Sequence, residues 1–292
     1  MKKRILFIIN PISGVGQKHL VEKYASSILD SSTCTFKFVY TQRRLHAKDI
    51  AIKEAGNHDI IVAVGGDGTV NEIASGLLGS NCSIAIIPTG SGNGLARCLG
   101  IPMNIKKALK LIQNGHAKKI DMFSCNNNYF VNVAGIGFDA EVGHLFEMAK
   151  NRGFLSYLKI TLLELLYFQP QKYTLHIDGK SLELQALLVS FANSNQWGNN
   201  VKIAPKALVD DGIIDVTVLK KFPFLLGPVI GFRMLTGSII SSKYVEYYKT
   251  TKAVIIKEDL PLKYHLDGEP LIEVGNSLHF NVHQKMLSVI VP

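Results

Sequence analysis

The chain has 292 residues, 47% of them hydrophobic and 19% charged, which excludes a disordered protein and allows two domains or one large one. Its net charge of +9 is unevenly spread: residues 1–125 hold 16 Lys and Arg against 8 Asp and Glu, and the remainder is nearly balanced. The positive excess in the first part suits a polyanionic small ligand, an anionic membrane or nucleic acid. Four widely spaced cysteines without a CxxC pair favour a reducing compartment and argue against a zinc site.

Met1-Lys2-Lys3-Arg4 followed by the short apolar run Ile5–Ile9 reads as a basic start to a first strand, not as a signal peptide. Leu20, Tyr24 and Ile28 then recur at helical spacing. Thr35–Tyr40 is a second strand, with a helix after it to about Ala55. Asp59–Val64 and Ser83–Ile87 are the third and fourth strands. Three strand ends run into Gly/Ser/Asn-rich loops: Asn10–Gly16, Gly65–Gly68 and Pro88–Gly94. Alternating strands and helices predict a mostly parallel, doubly wound sheet, with ligands bound beyond the carboxyl ends of its strands.

The pattern changes after Cys125, where Asn126-Asn127-Asn128 marks a turn. Strand-like runs follow at Tyr173–Ile177, Leu182–Ala192, Ile213–Leu219, Ala253–Lys257, Ser277–Val282 and Met286–Val291, with turn signals that include Asp178-Gly179 and Asp267-Gly268. Two helical interruptions fall at about Phe154–Phe168 and Phe224–Ile240. The reading is an α/β domain over 1–125 and a second, mainly antiparallel β domain over 126–292. The longest apolar segment, Phe222–Ile240, contains prolines, glycines and Arg233, which argues against a spanning helix.

Gly65-Gly66-Asp67-Gly68-Thr69 carries the most chemistry. It follows a buried strand and opens a helix marked by Val70, Ile73, Ala74, Leu77 and Leu78. Glycines let backbone N–H groups approach an anion, and a helix N-terminus adds unpaired donors and positive partial charge. A tight turn alone needs one glycine, so three favour a phosphate site. An acid beside phosphate makes electrostatic sense if it holds a cation, so Asp67 reads as a Mg²⁺-linked group. Thr69 suits a helix cap and a phosphate ligand together. Asn10, Ser13 and Gly14 on the first loop, and Thr89, Gly90, Ser91 and Asn93 on the third, offer further donors. Arg97 lies one helical turn on, where a guanidinium can meet phosphate; its plainer reading is a solvated helix residue.

These loops, in this order, resemble the catalytic domain of the diacylglycerol kinase and sphingosine kinase superfamily. The carrying residues are Asn10-Pro11-Ile12-Ser13-Gly14, the run from Gly65 to Glu72, and Pro88 to Arg97. The resemblance continues at Asn132–Asp139, Ile203-Ala204-Pro205 with Asp210–Val216, and Asp267-Gly268-Glu269, so it spans almost the whole chain. It implies an ATP-dependent lipid kinase with a Rossmann-like, NAD kinase-like nucleotide domain, a β-sandwich domain and an active site in the cleft between them. In that family the last residues often return to the first domain, here Met286–Val291. Glu72 joins the ATP-binding set by resemblance. The resemblance also implies that Asp121 helps the active-site metal network with Asp67. It implies a structural Mg²⁺ held by Asp211 and the carbonyls of Leu208 and Ile213. Asp267-Gly268 alone is a hairpin signature; Glu269 and the family's Asp-Gly-Glu motif make Asp267 the candidate general base, with Glu269 and Asp67 in the catalytic set.

The implied partners are ATP, Mg²⁺ and a lipid substrate at a membrane surface, with a homodimer left open. The implied location is cytoplasmic with peripheral membrane association. The alcohol is open among diacylglycerol, a sphingoid base and related lipids: Ser91-Gly92-Asn93-Gly94 is closer to the sphingosine kinase form, and Gly94 stands where bacterial diacylglycerol kinases carry an Asp. Some apolar side chains of the two late helical segments can face lipid or core. The alternatives are a non-catalytic lipid- or nucleotide-binding module and an NAD kinase-like small-molecule kinase. An oxidoreductase is disfavoured because Gly14-Val15-Gly16-Gln17-Lys18-His19 is no GxGxxG. No nucleic-acid motif accompanies the basic charge.

Overall fold

The computed structural model describes residues 2–13, 18–149 and 154–292. The chain divides into two compact units, 1–122 with 284–292, and 123–283.

The first unit opens with β1 (Lys3–Ile9), α1 (Lys18–Ile28), β2 (Cys34–Tyr40), α2 (His46–Glu54), β3 (Ile60–Gly65), α3 (Asp67–Gly76) and β4 (Ser83–Pro88). The short α4 (Gly94–Cys98), α5 (Ile105–Asn114) and β5 (His116–Cys125) follow. The strands run parallel in the order β2-β1-β3-β4. β3 is buried along its whole length, as a strand covered on both faces requires. On one face Phe7, Ile9, Val62 and Ala85 pack with Val21 and Ala25 of α1 and Ala108, Leu109 and Ile112 of α5. On the other, α2 and α3 pack closely: a Cβ on Gly76 would lie 2.7 Å from the Lys48 carbonyl oxygen.

The second unit contains β6 (Asn128–Phe130), β7 (Val133–Gly137), α6 (Phe138–Met148), α7 (Phe154–Tyr167), β8 (Gln171–Ile177), β9 (Lys180–Ala186), β10 (Leu188–Ala192) and β11 (Ile214–Leu219). After a 3₁₀ turn at Phe224–Leu226 come α8 (Gly227–Thr236), a second 3₁₀ turn at Ile239–Ser241, β12 (Val245–Thr250), β13 (Lys252–Ile256), β14 (Leu262–Leu266), β15 (Glu269–Glu273) and β16 (Ser277–Val291). One antiparallel sheet has the order β12-β11-β10-β7-β14-β15. It faces a second layer in which β9, β8, β13 and the first part of β16 pair antiparallel. Phe130, Leu175, Phe191, Val216, Ile255 and Phe280 belong to the core between these layers. Phe191 stacks on Phe280 at 3.8 Å between centroids. The fold is therefore the expected α/β unit with a mainly antiparallel β sandwich.

Three local readings change. The run 182–192 is not one strand. It breaks at Leu187, whose N–H and carbonyl bond Leu219 and Phe138, and its halves join different layers. Conversely, 277–282 and 286–291 form one 15-residue strand, with Lys285 at φ 54° inside it. The 224–240 segment contains a ten-residue helix, stopped by Gly237 at φ 77°. Among the described residues no helix is long and apolar enough to cross a membrane.

Phe191 is fully buried in the sandwich core. Phe191→Ala should lower the unfolding free energy by about 3–5 kcal/mol, through lost burial and an incompletely collapsed cavity. Urea unfolding of parent and variant measures this.

Candidate functional site

In the first unit, the loops after β1, β3 and β4 meet. β1 and β4 flank β3 directly, so their carboxyl ends bring the loops to one edge. Thr89 N–H donates to the Gly65 carbonyl at 2.9 Å. Gly66 and Gly90 approach backbone to backbone; a Cβ on Gly90 would lie 2.5 Å from Gly66 Cα. A Cβ on Gly65 would overlap the Thr69 side chain. Glycine is therefore demanded here by close approach.

Side chains fix the rest. Asn10 Nδ2 donates to Thr69 Oγ1 at 3.1 Å, and the Ser13 and Thr89 hydroxyls lie 3.2 Å apart. Asn93, buried at φ 54°, accepts from Gly90 N and donates to Gly90 O, closing its own loop. Asp67 Oδ1 accepts the Gly94 N–H at 2.8 Å, tying the start of α3 to the start of α4. Gly68 is half-buried at the first turn of α3, and Ser91 is exposed. Gly14 lies outside the described residues.

Three expected ligands have structural tasks as well. Both Glu72 carboxylate oxygens accept backbone N–H groups at the start of α2, from Leu45 and Ala47. Arg97 Nε donates to the Gly92 carbonyl. Asp121 is 1% exposed in the middle of β5 and accepts the Lys285 N–H at 2.7 Å.

In the second unit, Asp267-Gly268 forms the β14–β15 turn, with φ of 51° and 86° as a type I′ hairpin turn needs. The sequence does not reveal what the Asp267 carboxylate does. It is 6% exposed. Its Oδ1 accepts the N–H groups of Asn132 and Val133 at 2.8 and 3.0 Å, and its Oδ2 that of Val131 at 2.9 Å. Such bonds gather the chain entering β7. Glu269 is exposed at the start of β15.

An Asp–His pair adjoins this turn and was not anticipated. His265 Nε2 lies 3.0 Å from Asp139 Oδ2, and both side chains are at least nine-tenths buried. A Cβ on Gly135 would lie 2.6 Å from His265 Nε2, so Gly135 makes room for the pair. His265 Nδ1 is buried with no partner among the described residues, which favours the tautomer that carries its proton on Nε2 and donates to Asp139. Asp139 stood in the sequence motif; His265 offered no separate signal.

Metal chemistry fits the two expected sites unequally. Among the described residues no three His, Cys, Asp or Glu side chains converge as a metal cage. Asp67 supplies hard oxygen beside a glycine-rich loop, which suits Mg²⁺, since that ion commonly uses one or two carboxylates plus phosphate. At Asp211 the protein provides its own cation. Lys249 Nζ lies 3.8 Å from Asp211 Oδ2 and 3.5 Å from Asp215 Oδ1. Asp215 is fully buried, and desolvation pushes its carboxyl above the usual range despite the Tyr247 hydroxyl and Lys249. Asp211 Oδ1 accepts the Ile213 N–H at 3.1 Å, and Leu208 is exposed. A Mg²⁺ on Asp211 would compete with the Lys249 ammonium for that carboxylate.

An α/β unit with three glycine-rich loops at one sheet edge and a mainly antiparallel β sandwich is the architecture of the NAD kinase-like fold. Residues 4–125 match the diacylglycerol kinase catalytic domain, and residues 132–291 match the YegS C-terminal NAD kinase beta sandwich-like domain. The chain is 31% identical over 282 residues to the diacylglycerol kinase of Bacillus subtilis (strain 168), covering 91% of this chain and 90% of that one. It is 30% identical to the Shewanella frigidimarina (strain NCIMB 400) protein named "Probable lipid kinase YegS-like", over 82% and 78% of the two chains. A solved diacylglycerol kinase structure from Bacillus anthracis str. Sterne shares the fold at TM-score 0.76 and 24% identity, covering 99% and 97%. An NAD kinase from Archaeoglobus fulgidus in complex with ATP shares it at TM-score 0.55 and 14% identity, covering 98% and 93%. The chain belongs to the diacylglycerol kinase and YegS-like lipid kinase family, and is a phosphotransferase.

The bonding of Asp267 yields a stability prediction. In Asp267→Asn an amide nitrogen must face a backbone N–H whichever way the group turns. The variant should lose about 1–3 kcal/mol of stability from unsatisfied buried groups. Equilibrium unfolding checks this; an unchanged midpoint would remove Asp267 as the anchor of residues 131–133.

Proposed function

We propose that this protein transfers the γ-phosphate of ATP to a lipid hydroxyl. The supporting observation is the backbone-on-backbone approach of Gly66 and Gly90 beside Asp67 and Thr69, on a chain whose relatives are named lipid kinases. In this reading Asn10, Ser13, Gly14, Gly65, Gly66, Gly68, Thr69, Glu72, Thr89, Gly90, Ser91, Asn93 and Arg97 form the ATP site. Asp67, with help from Asp121 as the family resemblance implies, would hold Mg²⁺, which would offset phosphate charge. Asp211 with the Leu208 and Ile213 carbonyls would hold a second, structural Mg²⁺ in competition with Lys249.

Asp267 would accept the hydroxyl proton, with Glu269 beside it in the chain. Its three N–H bonds favour a second reading for this one residue, as the anchor of the chain entering β7. The two differ in Asp267→Asn: loss of a general base collapses turnover in protein that stays folded and binds ATP, whereas loss of an anchor alone lowers stability and leaves turnover of the folded protein near that of the parent. The lipid acceptor is proposed to be diacylglycerol or another lipid alcohol presented at a membrane surface. The B. subtilis relative's name favours diacylglycerol, and Gly94 keeps sphingoid bases among the candidates.

Radiolabelled ATP should label a lipid from a panel of diacylglycerol, sphingoid bases and other lipid alcohols in mixed micelles, read by thin-layer chromatography. Label appearing in NAD and in no lipid would reverse the substrate assignment. Gly66→Val should place a branched side chain against Gly90 and weaken ATP binding by at least about tenfold, because the backbone can no longer approach phosphate. Calorimetry on a folded variant measures it, and unchanged affinity would sink the cradle assignment.

A further inference from the structure

The segment from Phe224 to Leu235 exposes more apolar surface than packing in the second unit explains. Leu225 is 87% exposed and Phe232 65%, with Val229 and Leu235 about half exposed. Leu225, Val229 and Phe232 recur at helical spacing on the outer side, whereas Ile230 and Met234 turn into the core. α7 lies alongside: a Cβ on Gly227 would sit 3.7 Å from Leu165 Cδ2, and Lys221 Nζ donates to Gln169 just after α7. α7 adds exposed Leu162, Leu163, Leu166 and Tyr167.

The charge along the 224–235 segment and its flanks has one sign, while α7 carries one of each. Residues 220–245 contain Lys220, Lys221, Arg233 and Lys243 and no Asp or Glu. Glu246 beyond them pairs with Lys220. On α7, Lys159 balances Glu164. A second copy docked symmetrically would bring this cationic rim onto itself, since a two-fold interface uses the same patch twice. An anionic surface complements it. A ten-residue helix is about 15 Å long, half of the ~30 Å hydrocarbon core, so α8 has the length to lie in a bilayer interface and not to cross it.

We propose that the outward face of the 224–235 segment, with the exposed leucines of α7, docks the enzyme on an anionic lipid bilayer, the apolar side chains entering the interface and Lys221, Arg233 and Lys243 meeting lipid phosphates. This deepens the reading that the substrate is a lipid, but rests on surface chemistry that can be tested without turnover.

The test uses the full chain and sedimentation with vesicles of phosphatidylglycerol and phosphatidylcholine, or of phosphatidylcholine alone, across a salt series. The parent should bind the anionic vesicles and weaken as salt screens the attraction. Leu225→Ser with Phe232→Ser should reduce binding at least about tenfold at every salt concentration. Lys221→Gln with Lys243→Gln should reduce binding to anionic vesicles and flatten the salt dependence. These side chains are exposed, so melting temperature and ATP affinity should match the parent. Parent-like binding by the apolar double variant would overturn the proposal, as would no parent binding at low salt. Light scattering that shows a parent dimer made monomeric by the apolar pair would assign the face to a second copy instead. Vesicle binding that responds as described, with no label transferred to any lipid, would retain the docking face and remove the kinase reading.

Discussion

The cradle in the first unit depends on two stretches of backbone coming closer than side chains allow. Gly90 has no room for a Cβ against Gly66, and one on Gly66 would crowd Gly90; the hydrogen bonds from Thr89 to Gly65 and from Gly94 to Asp67 hold that approach. The parallel order of β1, β3 and β4 makes it available, because it delivers three loops to one sheet edge. Asn93 then spends its side chain on its own loop, and Glu72 fastens α2 to α3. The loops are thus shaped by hydrogen bonds within the protein, which lowers the ordering cost of binding a ligand.

The second unit uses a buried carboxylate in the same spirit. Asp267 gathers three successive N–H groups ahead of β7, and that strand sits mid-sheet between β10 and β14. Its neighbour two residues back, His265, is paired with Asp139 at the start of α6. A single hairpin therefore ties the β7 entry and the α6 start to one turn. That economy explains why a residue proposed for chemistry also bears on stability.

The glycine loops were legible because glycine density at a strand-to-helix turn has few other uses. The parallel strands were legible because burial on both faces demands unbroken apolar runs. The break at Leu187 was not, since both halves of 182–192 carry strand-like residues and only the sandwich decides which layer each joins. Nor was the continuity of β16, because His283-Gln284-Lys285 looks like a polar turn while Asp121, far away in sequence, fixes the Lys285 backbone. Asp267-Gly268 announced a turn but hid the partners of its carboxylate, which lie more than 130 residues earlier. Lys249 beside Asp211 was hidden for the same reason: cross-strand pairing of β11 and β12 sets it there.

The composition of the first unit also bears on how the protein is made. Residues 284–292 belong to it: Val289 pairs with Ile84, Ser288 bonds Ser83 through their hydroxyls, and Ile290 enters the core with Phe7. On a ribosome these residues emerge after all of the second unit. The first unit, although begun first, must wait with one flank of β4 uncovered until the second has been synthesised. An exposed strand edge of that kind can pair with other chains, so the time taken to synthesise the second unit sets how long the hazard lasts.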